Sequence, residues 1–210
     1  MRIDKIVKRS YVDGPGARAV LYMQGCPIQC PGCHSPHRHD PDGGQEMAVD
    51  EIAARLLDTG LPVTISGGEP FLQAEQVADL LTALTVQRPD LHIVVYSGMV
   101  LEDLLTIAGA IPDVLTVLSI ANVLVDGPYI AALDHDRMQW RGSGNQRVID
   151  LDNTVYLGDG GIVIGEPVLL DWETQVLAVT EDGSQIVGTE GMMAFLGLAG
   201  EPSRMCGEGS

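Results

Sequence analysis

Three cysteines stand within eight residues, in the run Cys26-Pro27-Ile28-Gln29-Cys30-Pro31-Gly32-Cys33. Thiolates are soft ligands that suit iron–sulfur clusters and zinc. Their spacing puts all three on one short loop able to wrap a cubane 4Fe–4S cluster, which leaves the fourth iron without a protein ligand. An open position on a metal is where a substrate coordinates, the logic that separates catalytic from structural zinc sites. The remaining cysteine, Cys206, sits in the Gly-rich polar tail 203–210. The same residues allow a second arrangement, a structural zinc knot of Cys26, Cys30 and Cys33 completed by Cys206 or His34.

Several elements must position that loop. Ala17–Gln24 is a short apolar run that reads as a buried strand, delivering Cys26 just past its end. Val49–Leu57 carries Ile52, Ala53, Leu56 and Leu57 at helical spacing, and Leu72–Gln87 places Val77, Leu80, Leu81 and Leu84 on one helix face. Between them Leu61–Ser66 is a strand closed by Gly67-Gly68. His92–Tyr96 is another strand, ended by Ser97-Gly98. Leu101–Ile111 reads as a helix broken at Pro112, Val114–Ile120 as a shorter one, and Val123–Val125 as a strand entering Asp126-Gly127-Pro128. Strand–helix alternation predicts parallel strands with right-handed crossovers. The chain has 210 residues, too few for eight such units, so the expected architecture is an α/β fold with an open or partial βα barrel.

The texture changes beyond Arg147. Short strands are expected at 154–157, 161–164, 176–180 and 185–187, with Glu181-Asp182-Gly183-Ser184 as a hairpin connection and an apolar patch at Met192–Leu198. The expected organisation is a core over residues 1–150 and a small acidic β-rich appendage over 151–210. The whole chain has 12 basic and 29 acidic residues, and residues 151–210 alone hold ten acids and one base. So acidic a chain is a poor match to nucleic acid, whose phosphates are met by clustered Lys and Arg. No apolar run reaches the roughly 20 residues that span a bilayer, and the N-terminus lacks the apolar stretch of a signal peptide. The expected setting is the cytoplasm, where clustered cysteines signal metal or catalysis more often than disulfides.

The CxxxCxxC loop at the end of a first strand, followed by Ser66-Gly67-Gly68-Glu69-Pro70, resembles the radical S-adenosylmethionine superfamily. That resemblance implies a 4Fe–4S cluster on Cys26, Cys30 and Cys33, with S-adenosylmethionine chelating the open iron. It implies that Gly67, Gly68, Glu69 and Pro70 help bind the methionine amino group. Glycines let the backbone approach a ligand closely, and a carboxylate accepts from an ammonium. Tyr96-Ser97-Gly98 is similar to the third-strand end of these proteins, which also meets the cofactor.

Three further segments narrow the likeness: Val12-Asp13-Gly14-Pro15-Gly16-Ala17-Arg18, Gln24-Gly25-Cys26 and Cys30-Pro31-Gly32-Cys33-His34 resemble the activating enzymes of glycyl-radical enzymes. Val125-Asp126-Gly127-Pro128-Tyr129 and Trp140-Arg141-Gly142-Ser143-Gly144-Asn145-Gln146-Arg147 are similar to the activators of anaerobic ribonucleoside-triphosphate reductase. The likeness runs through residues 1–150. Two features depart from it: Ser35-Pro36 follows His34 where such activases usually carry Asn-Pro, and residues 151–210 have no counterpart in the short reductase activators. The implied partners are a glycyl-radical enzyme and a flavodoxin- or ferredoxin-type electron donor. The implied chemistry is reductive cleavage of S-adenosylmethionine to methionine and a 5′-deoxyadenosyl radical, which takes hydrogen from a glycine Cα of the target. Cluster and cofactor carry this chemistry, so no general base is assigned.

The other polar residues have two readings each. Asp13 and Arg18 shape a target-facing mouth, or belong to a turn. Asp126, at a strand's carboxyl end, binds a cation or ribose hydroxyl, or caps the next segment. His34 faces the target; Arg141, Asn145 and Arg147 contact target or cofactor, or lie on a solvated loop; His37, His39, His92 and His135 read as surface or packing residues. Two alternatives to the activase stay open at this level: a radical enzyme acting on a peptide or small molecule, and a non-catalytic zinc- or cluster-binding interaction module.

Overall fold

The computed structural model describes residues 1–134, 138–158, 161–170, 176–179 and 185–187. Its main element is an open sheet of eight strands. In chain order these are β1 (Arg2–Ser10), β2 (Arg18–Met23), β3 (Gln45–Glu46), β4 (Val63–Gly67), β5 (Ile93–Tyr96), β6 (Val123–Asp126), β7 (Arg147–Asp150) and, further on, β10 (Val168–Leu169). The lateral order is β10-β7-β6-β5-β4-β2-β1-β3. Only the centre, β2, β4, β5 and β6, is parallel, with Ala19 opposite Val63, Val63 opposite Ile93 and Val94 opposite Val123. Both flanks run antiparallel, β1 and β3 on one side and β7 and β10 on the other. The expected alternation therefore describes the centre alone. The parallel strands are those joined through helices, as a crossover back to the same end of the sheet requires.

Helices α1 (Val49–Leu57), α2 (Ala74–Gln87), α3 (Leu101–Ala108) and α4 (Asp113–Ile120) connect the parallel strands. Their apolar residues bury as their spacing predicts: Ile52, Ala53 and Leu56 on α1, and Val77, Leu80, Leu81 and Leu84 on α2. Strand alternation sends Ala19, Leu21, Met23 and Ile65 into this same core. Val94, Val123 and Val125 join Trp140 and Val148 in a second, smaller cluster. Removing such fully buried aliphatic side chains from water contributes about 1.5–3 kcal/mol each.

Beyond the core lie a one-turn helix α5 (Leu151–Thr154) and two antiparallel pairs. One joins β8 (Val155–Gly158) to β9 (Gly161–Ile164), the other β11 (Val176–Val179) to β12 (Gln185–Val187). The main sheet takes its edge strand β10 from this same stretch. The hairpin connection at 181–184, the apolar patch at 192–198, His135 and Cys206 lie outside the described residues. Among the described residues no helix is long and apolar enough to cross a membrane.

Candidate active site

Cys26, Cys30 and Cys33 line one wall of a cavity of about 400 Å³, each half-buried and each a free thiol. The loop is held by its backbone: Gly25 N–H donates to Arg38 O at 3.0 Å, Cys26 N–H to His39 O at 3.2 Å and Cys33 N–H to Cys30 O at 3.1 Å. Gln29 turns the loop with φ +50° and Gly32 with φ +78°. A left-handed backbone suits glycine and strains glutamine. Burial pushes the Cys26 thiol up, while backbone N–H groups of Ile28 and Gln29 pull it down. Ser35 N–H donates to Cys33 Sγ at 3.4 Å. N–H groups aimed at sulfur are the surroundings in which a cluster's thiolates are stabilised.

The opposite wall comes from the ends of β4 and β5. Gly67 has φ +103°, and a Cβ there would lie 2.5 Å from Met23 N; one on Gly68 would lie 2.3 Å from Gly25 O. These glycines let the end of β4 close directly on the strand that feeds the cysteine loop, and Gly68 N–H and Glu69 N–H donate to Met23 O and Gly25 O. A Cβ on Gly98 would meet Ile28 Cδ1 at 2.5 Å, so the end of β5 touches the loop as well. Gly67, Gly68, Tyr96, Ser97 and Gly98 all face the cavity.

Glu69 is placed differently. Its side chain is 1% exposed and sits behind the wall, accepting from Gly98 N–H at 2.9 Å, Phe71 N–H at 3.1 Å and the Ser97 hydroxyl at 3.1 Å. Burial pushes its carboxyl up to about 7, against the pull of those donors. Glu69 thus ties the end of β4 to the end of β5, while Pro70 is buried at the start of the following turn.

Other expected residues divide between wall and scaffold. Asp13 faces the cavity; it accepts from Tyr22 Oη at 2.7 Å and from the Ser10 hydroxyl. Arg18, expected at the mouth, is fully buried at the opposite end of the strands. It donates from Nε to Thr64 Oγ1 at 2.7 Å, from Nη2 to Val63 O and His92 O, and meets His92 Nδ1 at 3.2 Å. Burial brings its guanidinium down to about 9 and holds His92 down at about 3. Asp126 is fully buried: it accepts from Leu101 N–H at 2.7 Å, capping α3, and pairs with Arg147. Arg147 in turn grips Glu102 with two bonds of 2.9 and 2.7 Å. Asn145 donates to Pro128 O at 2.7 Å, and Arg141 donates to Gln146 O at 2.8 Å. Those bonds tie residues 138–146 to the end of β6. His34 stays exposed, its ring 4.7 Å from Tyr129 and its Nε2 3.4 Å from Asp134.

A second cavity of about 480 Å³ adjoins the first, sharing Asp13, His34, Tyr96 and Gly142, and lined further by Val12, Met138 and Trp140. Tyr96 Oη donates to Trp140 O at 2.6 Å across the junction. Sequence reasoning passed over Tyr22 and Arg38. The Arg38 guanidinium lies 4.1 Å from the Tyr22 ring centroid and is bonded to Asp4 at 2.8 Å. Tyr22 alternates with the core residues of β2, a signal that it faces the other side; Arg38 lies in a polar stretch with no periodicity to reveal it.

Three soft donors on one cavity wall fit a cluster with an open iron. Among the described residues, no three or more His, Cys, Asp or Glu side chains converge on a single-ion site.

Comparison with known proteins agrees with this fit. The family model described as a 4Fe-4S single cluster domain matches residues 12–149. The anaerobic ribonucleoside-triphosphate reductase-activating protein of Salmonella typhimurium is 34% identical over 159 residues, which cover 70% of this chain and 97% of the relative. Its counterpart in Enterobacteria phage T4 is 30% identical over 165 residues, 76% of this chain and all of the relative. The chain belongs to this family of 4Fe–4S activating proteins. The pyruvate formate-lyase-activating enzyme of Clostridium pasteurianum matches a shorter part, 40% identical over 87 residues and 37% of its own length. The match thus spans nearly all of the Salmonella protein and 70% of this chain.

Proposed function

We propose that this chain is a radical S-adenosylmethionine activase that installs a glycyl radical on a partner enzyme, an anaerobic ribonucleoside-triphosphate reductase. The observation that carries the reading is the meeting of Cys26, Cys30 and Cys33 with Gly67, Gly68, Ser97 and Gly98 around one cavity. In this reading the open sheet is a partial βα barrel of the radical type, and its parallel strands supply the cavity wall.

Cys26, Cys30 and Cys33 would hold the cluster, and Gly67, Gly68, Ser97 and Gly98 would receive S-adenosylmethionine. When bound, the pair supplies a 5′-deoxyadenosyl radical that abstracts hydrogen from a glycine Cα. The chain's own residues orient and enclose. Glu69 fixes Gly98 from behind, the N–H groups of Ile28, Gln29 and Ser35 stabilise sulfur charge, and Asp13 and Trp140 border the adjoining cavity through which a target segment would reach the site. The electron donor would be a flavodoxin or ferredoxin, and the setting cytoplasmic.

Anaerobic reconstitution with iron and sulfide, then dithionite and S-adenosylmethionine, tests this reading. Formation of 5′-deoxyadenosine that is lost in Cys30→Ala supports it. A protein that takes no cluster and binds one zinc through four ligands would replace it with an interaction module.

A further inference from the structure

β1 is a basic edge on an acidic protein. Arg2, Lys5, Lys8 and Arg9 are four of the chain's 12 basic residues, and only Asp4 opposes them within the strand. β3 covers the outer side of β1 at Arg2 and Ile3 alone. From Lys5 to Ser10, β1 pairs only with β2 among the described residues, so its outer edge is open there.

The direction of the open backbone groups follows from the register. Ala19 N–H donates to Pro62 O, on the β4 side, so the odd residues of β2 turn toward β4 and Val20 and Tyr22 turn toward β1. Their partners on β1 are Val7 and Lys5. Residues alternate in direction along a strand, so Ile6, between Lys5 and Val7, turns its N–H and C=O groups outward, and the register shifts beyond Val7. Lys8 and Arg9 are exposed beside them, and Lys5 and Val7 line the cysteine cavity.

We infer that the free edge of β1 docks an extended acidic segment of the target enzyme as an added strand. This rests on the activase reading above. Main-chain bonds to the open edge at Ile6 would supply affinity. Lys8 and Arg9 would select an acidic segment and speed its encounter with a protein whose net charge is −17. The edge adjoins the cavity, so a strand seated there delivers the neighbouring chain to the site. Lysines on a free edge also guard against edge-to-edge aggregation. Glutamates would guard equally well, and this separates the two roles.

Binding of the full chain to a purified anaerobic ribonucleoside-triphosphate reductase would be measured by biolayer interferometry, with 5′-deoxyadenosine release assayed in parallel without the reductase. The variant Lys8→Glu/Arg9→Glu should weaken binding at least about 10-fold at low salt, a difference that shrinks as ionic strength rises. Ile6→Pro keeps the β1–β2 ladder, because the Ile6 N–H faces outward on an edge, yet removes one docking bond with no change of charge and should also weaken binding. Both variants should release 5′-deoxyadenosine like the parent. Wild-type affinity in both variants, or loss in the charge variant alone, overturns strand docking, as does a parent chain that releases 5′-deoxyadenosine but does not bind the reductase. A parent chain that releases no 5′-deoxyadenosine overturns the activase reading instead.

Discussion

At their carboxyl ends, β2, β4 and β5 meet through glycine backbone and thiols; at their amino ends, the same three strands are fastened by one buried guanidinium. Gly67, Gly68 and Gly98 permit approaches that any Cβ would block, and the cysteine loop rests on them. Arg18, by contrast, links β2 to Val63 O, Thr64 and His92 O with four hydrogen-bonded contacts, and Thr64 Oγ1 passes a 2.8 Å bond on to Asp13 O. One end is shaped for ligands that the protein must approach closely. The other is a fixed base that keeps the strands in register beneath it. The two motifs look alike in sequence, each a short polar run beside a strand, yet their physical roles are opposite.

If that contrast is right, damage at the carboxyl ends should cost activity and damage at the amino ends should cost stability. Cys30→Ala should abolish the cluster, seen as loss of its visible absorbance, and lower 5′-deoxyadenosine formation beyond detection while circular dichroism stays unchanged. Gly68→Ala forces a Cβ against Gly25 O. It should displace the cysteine loop and reduce turnover about 100-fold, the cost of a misplacement near 1 Å. Arg18→Met removes the buried bonds to Thr64, Val63 O and His92 and should destabilise by about 3 kcal/mol, read as a fall in Tm of about 8 °C. Cluster loading of the surviving folded protein should match the parent. Equal loss of cluster in Arg18→Met and Gly68→Ala would erase the distinction.

The smallest effect belongs to the rim of the scaffold. Arg147 holds the Glu102 carboxyl down at about 2, well below its ordinary value near 4.5. A depressed carboxyl stabilises the fold above its unfolded value and loses that contribution as pH falls from about 4.5 through about 2. Glu102 is 59% exposed, so solvent screening limits the contribution to under about 1 kcal/mol. Glu102→Gln should leave activity intact and flatten the acid limb of the denaturation profile over that interval.

Much of this was legible in residue order. Helical spacing marked α1 and α2, and apolar runs ending in glycine marked β2, β4 and β5, because burial of one face imposes its period on the sequence. β1 escaped that reading: only Ile3 is fully buried along it, so it carries no apolar run. β7 was missed for a related reason, being only four residues long with Arg147 and Asp150 at its ends. Asp126 and Arg18 show the same limit at single residues. Each stands in a motif that admits a ligand role, and only the packing revealed that Arg147 with Leu101 N–H, and Thr64 with His92, already occupy them.

The sequence by itself determined the donor set, the three-cysteine spacing, the parallel centre and the family, since thiolate chemistry and hydrophobic period are local properties of the chain. Tertiary structure alone decided which polar residues face the cavity and which serve as struts behind it. Glu69 holds Gly98 from inside the wall, Arg18 anchors the far end, and β1 leaves its basic edge open, because each depends on contacts between residues tens of positions apart, which residue order does not record.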